Sequence, residues 1–267
     1  MKKIFILILS TLTILHSSCT KVINVDLNSK DPQIVIEATI TDDSTIPHTV
    51  LLTKSVNFSD PNSFPAIQNA TVTVNDDLGN TVTFAETSPG VYKNTTLKGV
   101  PGRTYSLKIL AEGKTFTSSC KMPAKVPLDS VVFESFSFGN QSDDNSEKSF
   151  RPVYTDPAGK GNYYKFNLQK GDSISKTIFL IDDDIVDGSV NKRPLFDREL
   201  SLKKGDSVTL QMLCISKEVN LYFYSMDQSS GGPGGTASPA NPVTNIQGAA
   251  LGYFSAHTLQ TVKLRIP

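Results

Sequence analysis

The chain has no tryptophan, and only three histidines and three cysteines among its 267 residues. Each shortage excludes some chemistry. Aromatic faces are the usual platform for stacking on carbohydrate. Here only Tyr163-Tyr164, Tyr222-Phe223-Tyr224 and Tyr253-Phe254 are available as grouped rings, and at strand or helix spacing such rings belong mostly to a core. Past residue 19 the histidines are His48 and His257, and neither stands in a nucleophile or metal motif. There is no Gly-x-Ser-x-Gly elbow, no Cys-x-x-Cys and no His-x-x-x-His. No catalytic residue is therefore assigned. Charge of one sign is also missing. The chain balances 26 basic against 26 acidic side chains, and loss of Lys2 and Lys3 with a leader leaves the rest two charges negative, which excludes an electrostatic footprint for nucleic acid.

What is present begins at the N-terminus. Lys2 and Lys3 open onto an apolar run from Ile4 to Leu15, broken only by Ser10, Thr11 and Thr13. This is the pattern of a secretory signal, too short for a membrane span, and nothing later is long or apolar enough to make one. The run ends in His16-Ser17-Ser18-Cys19, small residues before a cysteine as in a lipobox. Residues 1–19 are thus expected to be a lipoprotein signal peptide, with Cys19 taking diacylglycerol and palmitate as the first residue of the mature chain. His16 departs from the pattern, standing where leucine is usual, so an ordinary secretory signal with an incidental cysteine is the alternative. Thr20-Lys21-Val22 is not acidic, which leaves periplasmic and surface exposure at the outer membrane both open. Cys120 and Cys214 lie in apolar-alternating stretches and are expected as buried free thiols, with a disulfide between them in an oxidising compartment as the alternative.

From residue 34 the apolar period is two, as in Ile34-Val35-Ile36-Glu37-Ala38-Thr39-Ile40, and about seven short strands follow to Lys121. Gly79, in the Asp76-to-Asn80 corner of a hairpin, supplies the positive φ that the turn demands. The spacing predicts an immunoglobulin-like sandwich over 34–125, after a tether over 20–33. Pro123 and Pro127 mark a boundary, and a second β-rich domain is expected over 126–267, giving an all-β chain of two sandwich-like domains. Strands are expected at Val131–Phe138, Tyr163–Leu168, Val208–Leu213 and Thr258–Ile266. The similar segments Leu168–Ile174 and Leu202–Val208 both read as strand, Lys-Gly-Asp turn, strand. Val219, Tyr222, Phe223 and Met226 change the period to that of one short amphipathic helix near 216–228, which Ser216 can cap. Polar loops are expected over Asn140–Ser149 and Ser229–Pro242.

The acidic run Asp182-Asp183-Asp184 with Asp187 has the composition of a calcium site, since calcium takes several hard oxygens. Asp182, Asp184 and Asp187 are the candidate ligands. The helix-loop-helix template fails, because counting from Asp182 puts Val186 at position five and Arg193 at position twelve. A solvated loop is the simpler reading, and calcium in another loop geometry is the alternative.

Three stretches together carry a family resemblance. They are Cys19 with Lys21-Val22-Ile23-Asn24-Val25-Asp26-Leu27, then Ile34-Val35-Ile36-Glu37-Ala38, and the ending from Asn241-Pro242 to Gly252-Tyr253-Phe254-Ser255-Ala256. The chain resembles the Bacteroidota lipoproteins grouped as domain of unknown function 4249. That resemblance implies an envelope lipoprotein often encoded beside a TonB-dependent outer-membrane transporter, and brings no catalytic residues. The expected function is a non-enzymatic binding or accessory protein working with an outer-membrane transport system, with no cofactor beyond the calcium alternative. The competing expectations are a hydrolase drawing on the Asp182-to-Asp187 carboxylates with His257 or a metal, and a structural role in surface assembly. In the ending itself, Gly248 and Gly252 allow a close backbone approach before Tyr253 and Phe254 enter a core, which reads as a folding latch, with a ligand mouth as the alternative.

Overall fold

The computed structural model describes residues 31–57, 61, 63–135, 146–185, 187–197, 199–229 and 240–267. The leader, Cys19, most of the tether and most of both expected polar loops lie outside the described residues.

The chain is mostly β, as expected. Seven strands come first: β1 (Ile34–Thr41), β2 (His48–Lys54), β3 (Thr71–Asp76), β4 (Thr81–Ser88), β5 (Val91–Asn94), β6 (Thr104–Ala111) and β7 (Lys114–Lys121). Alternation builds most of them, and β4 loses it past Phe84, where residues 85–88 are all exposed. Ile34, Ile36, Ala38 and Ile40 of β1 are buried while Val35, Glu37 and Thr39 are not fully so. β4 serves two sheets, pairing through residues 81–84 with β3 and through 85–88 with β5, with a register shift between Glu86 and Ser88. The two layers close over a core of Ile36, Leu52, Val72, Tyr105, Ile109 and Phe116. Each such buried side chain is worth roughly 1.5–3 kcal/mol relative to exposure. At the β3–β4 corner Gly79 has φ +85, and the Asp76 carboxylate accepts from the Leu78 and Asn80 backbone N–H groups.

The second half carries β8 (Ser130–Ser135), β9 (Lys148–Val153), β10 (Tyr163–Lys170), β11 (Ser173–Ile174), β12 (Phe179–Asp182), β13 (Ser207–Ile215), the helix α1 (Lys217–Ser229) and β14 (Leu251–Arg265). A second core forms from Phe150, Tyr164, Phe166, Phe179, Leu210 and Met212. The helix stands where the period placed it, with Val219 and Tyr222 buried and the Ser216 hydroxyl accepting from Val219 N–H at 3.4 Å.

Several details differ from the sequence expectation. β9 occupies the end of the expected 140–149 loop, and its Pro152 is accommodated because β8 and β9 form a separate two-stranded sheet in which an edge needs no donor. β12 is an added strand, so Asp182 ends a strand instead of opening a loop. Leu202-Lys203 is not a strand. Only the copy at Leu168–Ile174 makes a hairpin, while Leu202 O accepts from Lys148 N and Gly205 N donates to Ile266 O.

The largest difference is β14, which starts at Leu251 and not at Thr258. Residues 251–257 pair in parallel with β1, and residues 258–265 pair antiparallel with β13. One strand thus runs from the first sheet into the second, across the boundary placed near residue 125. Gly252 permits this. Its φ is +99, and a Cβ there would stand 2.0 Å from Ile36 O. Asn245 fastens the entry, donating from Nδ2 to Phe254 O and accepting from Phe254 N–H. Where the strand changes partner, Leu259 N–H donates to Asp42 while Lys125 Nζ donates to Leu259 O.

Candidate functional site

Because β1, β14, β13 and β10 lie side by side, residues two apart on each share one face. Thr39 and Thr41, Ser255 and His257, Gln211 and Leu213, and Lys165 and Asn167 line a cleft of about 240 Å³ there. That is room for about eight waters at the liquid volume per molecule. Helix α1 supplies one wall through Phe223, whose ring lies 5.0 Å from that of Tyr253, while Ile46 and Pro47 from the β1–β2 turn supply another.

Three polar side chains form a chain across two strands, in register at Asn167↔Gln211 and Lys165↔Leu213. Asn167 Nδ2 donates to Gln211 Oε1 at 3.1 Å, and Lys165 Nζ donates to Asn167 Oδ1. The ammonium also sits 4.7 Å from the centre of the Phe223 ring, a cation–π contact. Among the described residues it is paired with no carboxylate; the ion pairs there join other groups. Burial alone lowers its pKa, to about 8, as expected for an amine taken from water without a counter-charge.

His257 is the other titratable group of the cleft. Burial first, and then the Lys165 and His48 charges, lower its pKa to about 4 against the opposing pull of Asp42. The Ser255 hydroxyl lies 2.9 Å from its Nδ1. A serine beside an imidazole has the outline of a nucleophile and base, but a base works best with a pKa near the working pH. At about 4 this imidazole is neutral and a weak proton acceptor. His48 is structural: its Nδ1 accepts from Thr41 N–H and its Nε2 donates to Leu97 O at 2.8 Å. Cys120 and Cys214 are both buried and free, and burial pushes both thiols up.

The acidic candidates fall elsewhere, and only Asp187 joins a cluster. Carboxylate oxygens of Asp156, Asp183 and Asp187 lie within 4.8 Å of one another, the first two buried; Asp182 and Asp184 are not among them. The alternation explains why: Asp182 completes β12, and the next residue turns inward. Asp183 accepts from the backbone N–H of Gly161 and Asn162, Asp187 from Gly159, and Asp156 from Gly188 and the Tyr164 hydroxyl. Each carboxylate therefore ties one loop to another. Three carboxylates could supply part of the six to eight oxygens calcium takes, but their hydrogen bonds already give them a structural role. His257 is not in this cluster.

Sequence reasoning did not single out Lys165, Asn167, Gln211 or Ser255. The first three occupy the polar positions of alternating strands, which read as solvent-facing. The available signal was the stretch from Gly252 to Thr258, which lacks a clean polar face and is buried on both sides apart from Tyr253.

No curated protein matches this sequence. A two fibronectin type-III domain segment from chicken tenascin is similar at 13% identity, with 88% of this chain and 99% of that chain covered and a TM-score of 0.26; the fold class rests on the strands themselves. The family model described as domain of unknown function DUF4249 matches residues 20–262. That match takes in most of both halves described above, and the chain belongs to the DUF4249 family.

Proposed function

We propose that this protein is a non-enzymatic cell-envelope lipoprotein of Bacteroidota, held to the outer membrane by an acyl chain on Cys19 and acting as a binding or accessory protein beside a TonB-dependent transport system. The observation that carries the reading is the order of parts: a basic start, an apolar run and Cys19, then an all-β body. A family match that opens at residue 20, directly after Cys19, is in keeping with it. The weak basicity of His257 favours binding over acid–base chemistry in the cleft. The fourteen residues 20–33 give a reach of at most roughly 50 Å between anchor and first strand.

The test is mass spectrometry of the N-terminal peptide from the native membrane, together with cross-linking of the tagged protein in intact cells. Acylation at Cys19, membrane release on Cys19→Ala and recovery of a transporter are expected. An unacylated N-terminus rejects the anchor, and cross-links that recover no outer-membrane transporter reject the partnership.

A further inference from the structure

We propose that the cleft over β1, β14, β13 and β10 binds a small organic monocarboxylate, with Lys165 as counter-charge and apolar surface for the remainder of the molecule. The inference deepens the binding reading above and rests on it for its setting, but its chemistry stands on the cleft alone. Lys165 is a half-buried ammonium with no carboxylate partner among the described residues. An uncompensated charge in such a place is costly, and a bound anion would compensate it. Of its three N–H donors one goes to Asn167, which is itself held by Gln211. This chain fixes the position of the ammonium and leaves donors for a ligand.

The charge count selects the class. One cation with neutral amides and hydroxyls around it matches a single negative charge; a phosphate dianion would call for more than one cation or a backbone cradle. Leu213, Ile215, Phe223 and Leu259 line the same cleft, so the part of the ligand away from the carboxylate is apolar. Its volume of about 240 Å³ is filled by a short branched or single-ring acid. Among the described residues no carboxylate is in the lining of the cleft, which disfavours free amino acids.

The experiment is calorimetric titration of the full chain in neutral-lipid nanodiscs with benzoate and 4-methylpentanoate, against benzamide and 4-methylpentanamide, with empty nanodiscs as blank. Each acid is expected to bind at least tenfold tighter than its amide. Lys165→Met is expected to abolish that preference, and Lys165→Arg to retain part of it. Equal binding of acid and amide to the unaltered protein, or no binding of either, overturns the proposal. A second readout needs no variant: acetylation of Lys165 by acetylimidazole, followed by peptide mass spectrometry, is slowed severalfold by the acid and not by the amide. Unchanged acetylation in saturating acid overturns it equally. Failure to recover a transporter from cells would defeat the envelope partnership and leave these binding results standing.

Discussion

Tyr164 and Lys165 are neighbours on β10 that point to opposite faces of one sheet, and they enter two different polar clusters, the first buried and the second half-buried. On one side the Tyr164 hydroxyl joins Asp156, and the carboxylates of Asp183 and Asp187 take up backbone N–H groups from the facing loop. On the other side the Lys165 ammonium meets one amide oxygen and an aromatic ring. The first cluster uses its hydrogen bonds to close the fold. The second keeps part of its bonding capacity and its charge unspent. A buried polar group whose partners are all internal is a structural device, whereas one left short points outward to a ligand.

The cleft depends on β14 lying where it does, so Gly252→Ala is the most damaging single change. It combines a disallowed φ with a Cβ 2.0 Å from Ile36 O, and a loss of more than about 4 kcal/mol is expected, read as failure to recover folded protein by circular dichroism. Asp183→Ala strips two backbone donors of their acceptor and should cost about 3 kcal/mol in a urea titration. Acid acts on the cleft through His257, which has a folded pKa of about 4 against an ordinary value of 6.5. Between those values the unfolded chain binds the proton and the folded chain does not, so stability falls as pH drops from 6.5 to 4. The expected loss is about 3 kcal/mol, and His257→Gln should remove that component. Lys165→Met sharpens the contrast because its sign is reversed: it should stabilise the protein by about 2 kcal/mol at pH 7. In the unaltered protein the Lys165 burden is complete below pH 8 and is relieved as pH rises towards 10.5. A scan of unfolding midpoints from pH 7 to 10.5 should therefore converge for the two proteins. Destabilisation by Lys165→Met would erase the distinction between the clusters.

The strands of the first half and the helix were legible because each depends on a local period: two for Ile34 to Ile40, and 3.6 for Val219 to Met226. Turns were legible where one residue type dictates the backbone, as at Gly79. β14 was only half legible. A glycine-containing stretch reads as loop, and nothing local says that Gly252 lies flat against the carbonyl of a strand more than two hundred residues earlier. The site failed for the same reason. Lys165, Asn167 and Gln211 each look like the wet face of a strand, and are half-buried because β1 and β14 extend the sheet beyond β13 and α1 lies beside it. Of the three candidate ligands in the acidic run, Asp187 alone lies in the carboxylate cluster. Asp183 was passed over for its flanking neighbours, and Asp156, far from the run in sequence, gave no local signal.

The central claim is that Lys165 is a half-buried ammonium without a counter-charge. Nuclear magnetic resonance titration of the full chain carrying ¹³C-labelled lysine, with Lys165 assigned through Lys165→Arg, measures this directly. The account predicts a midpoint at about 8 that rises when a carboxylate is bound. A midpoint near 10.5 in the free protein, unmoved by carboxylate, would contradict it.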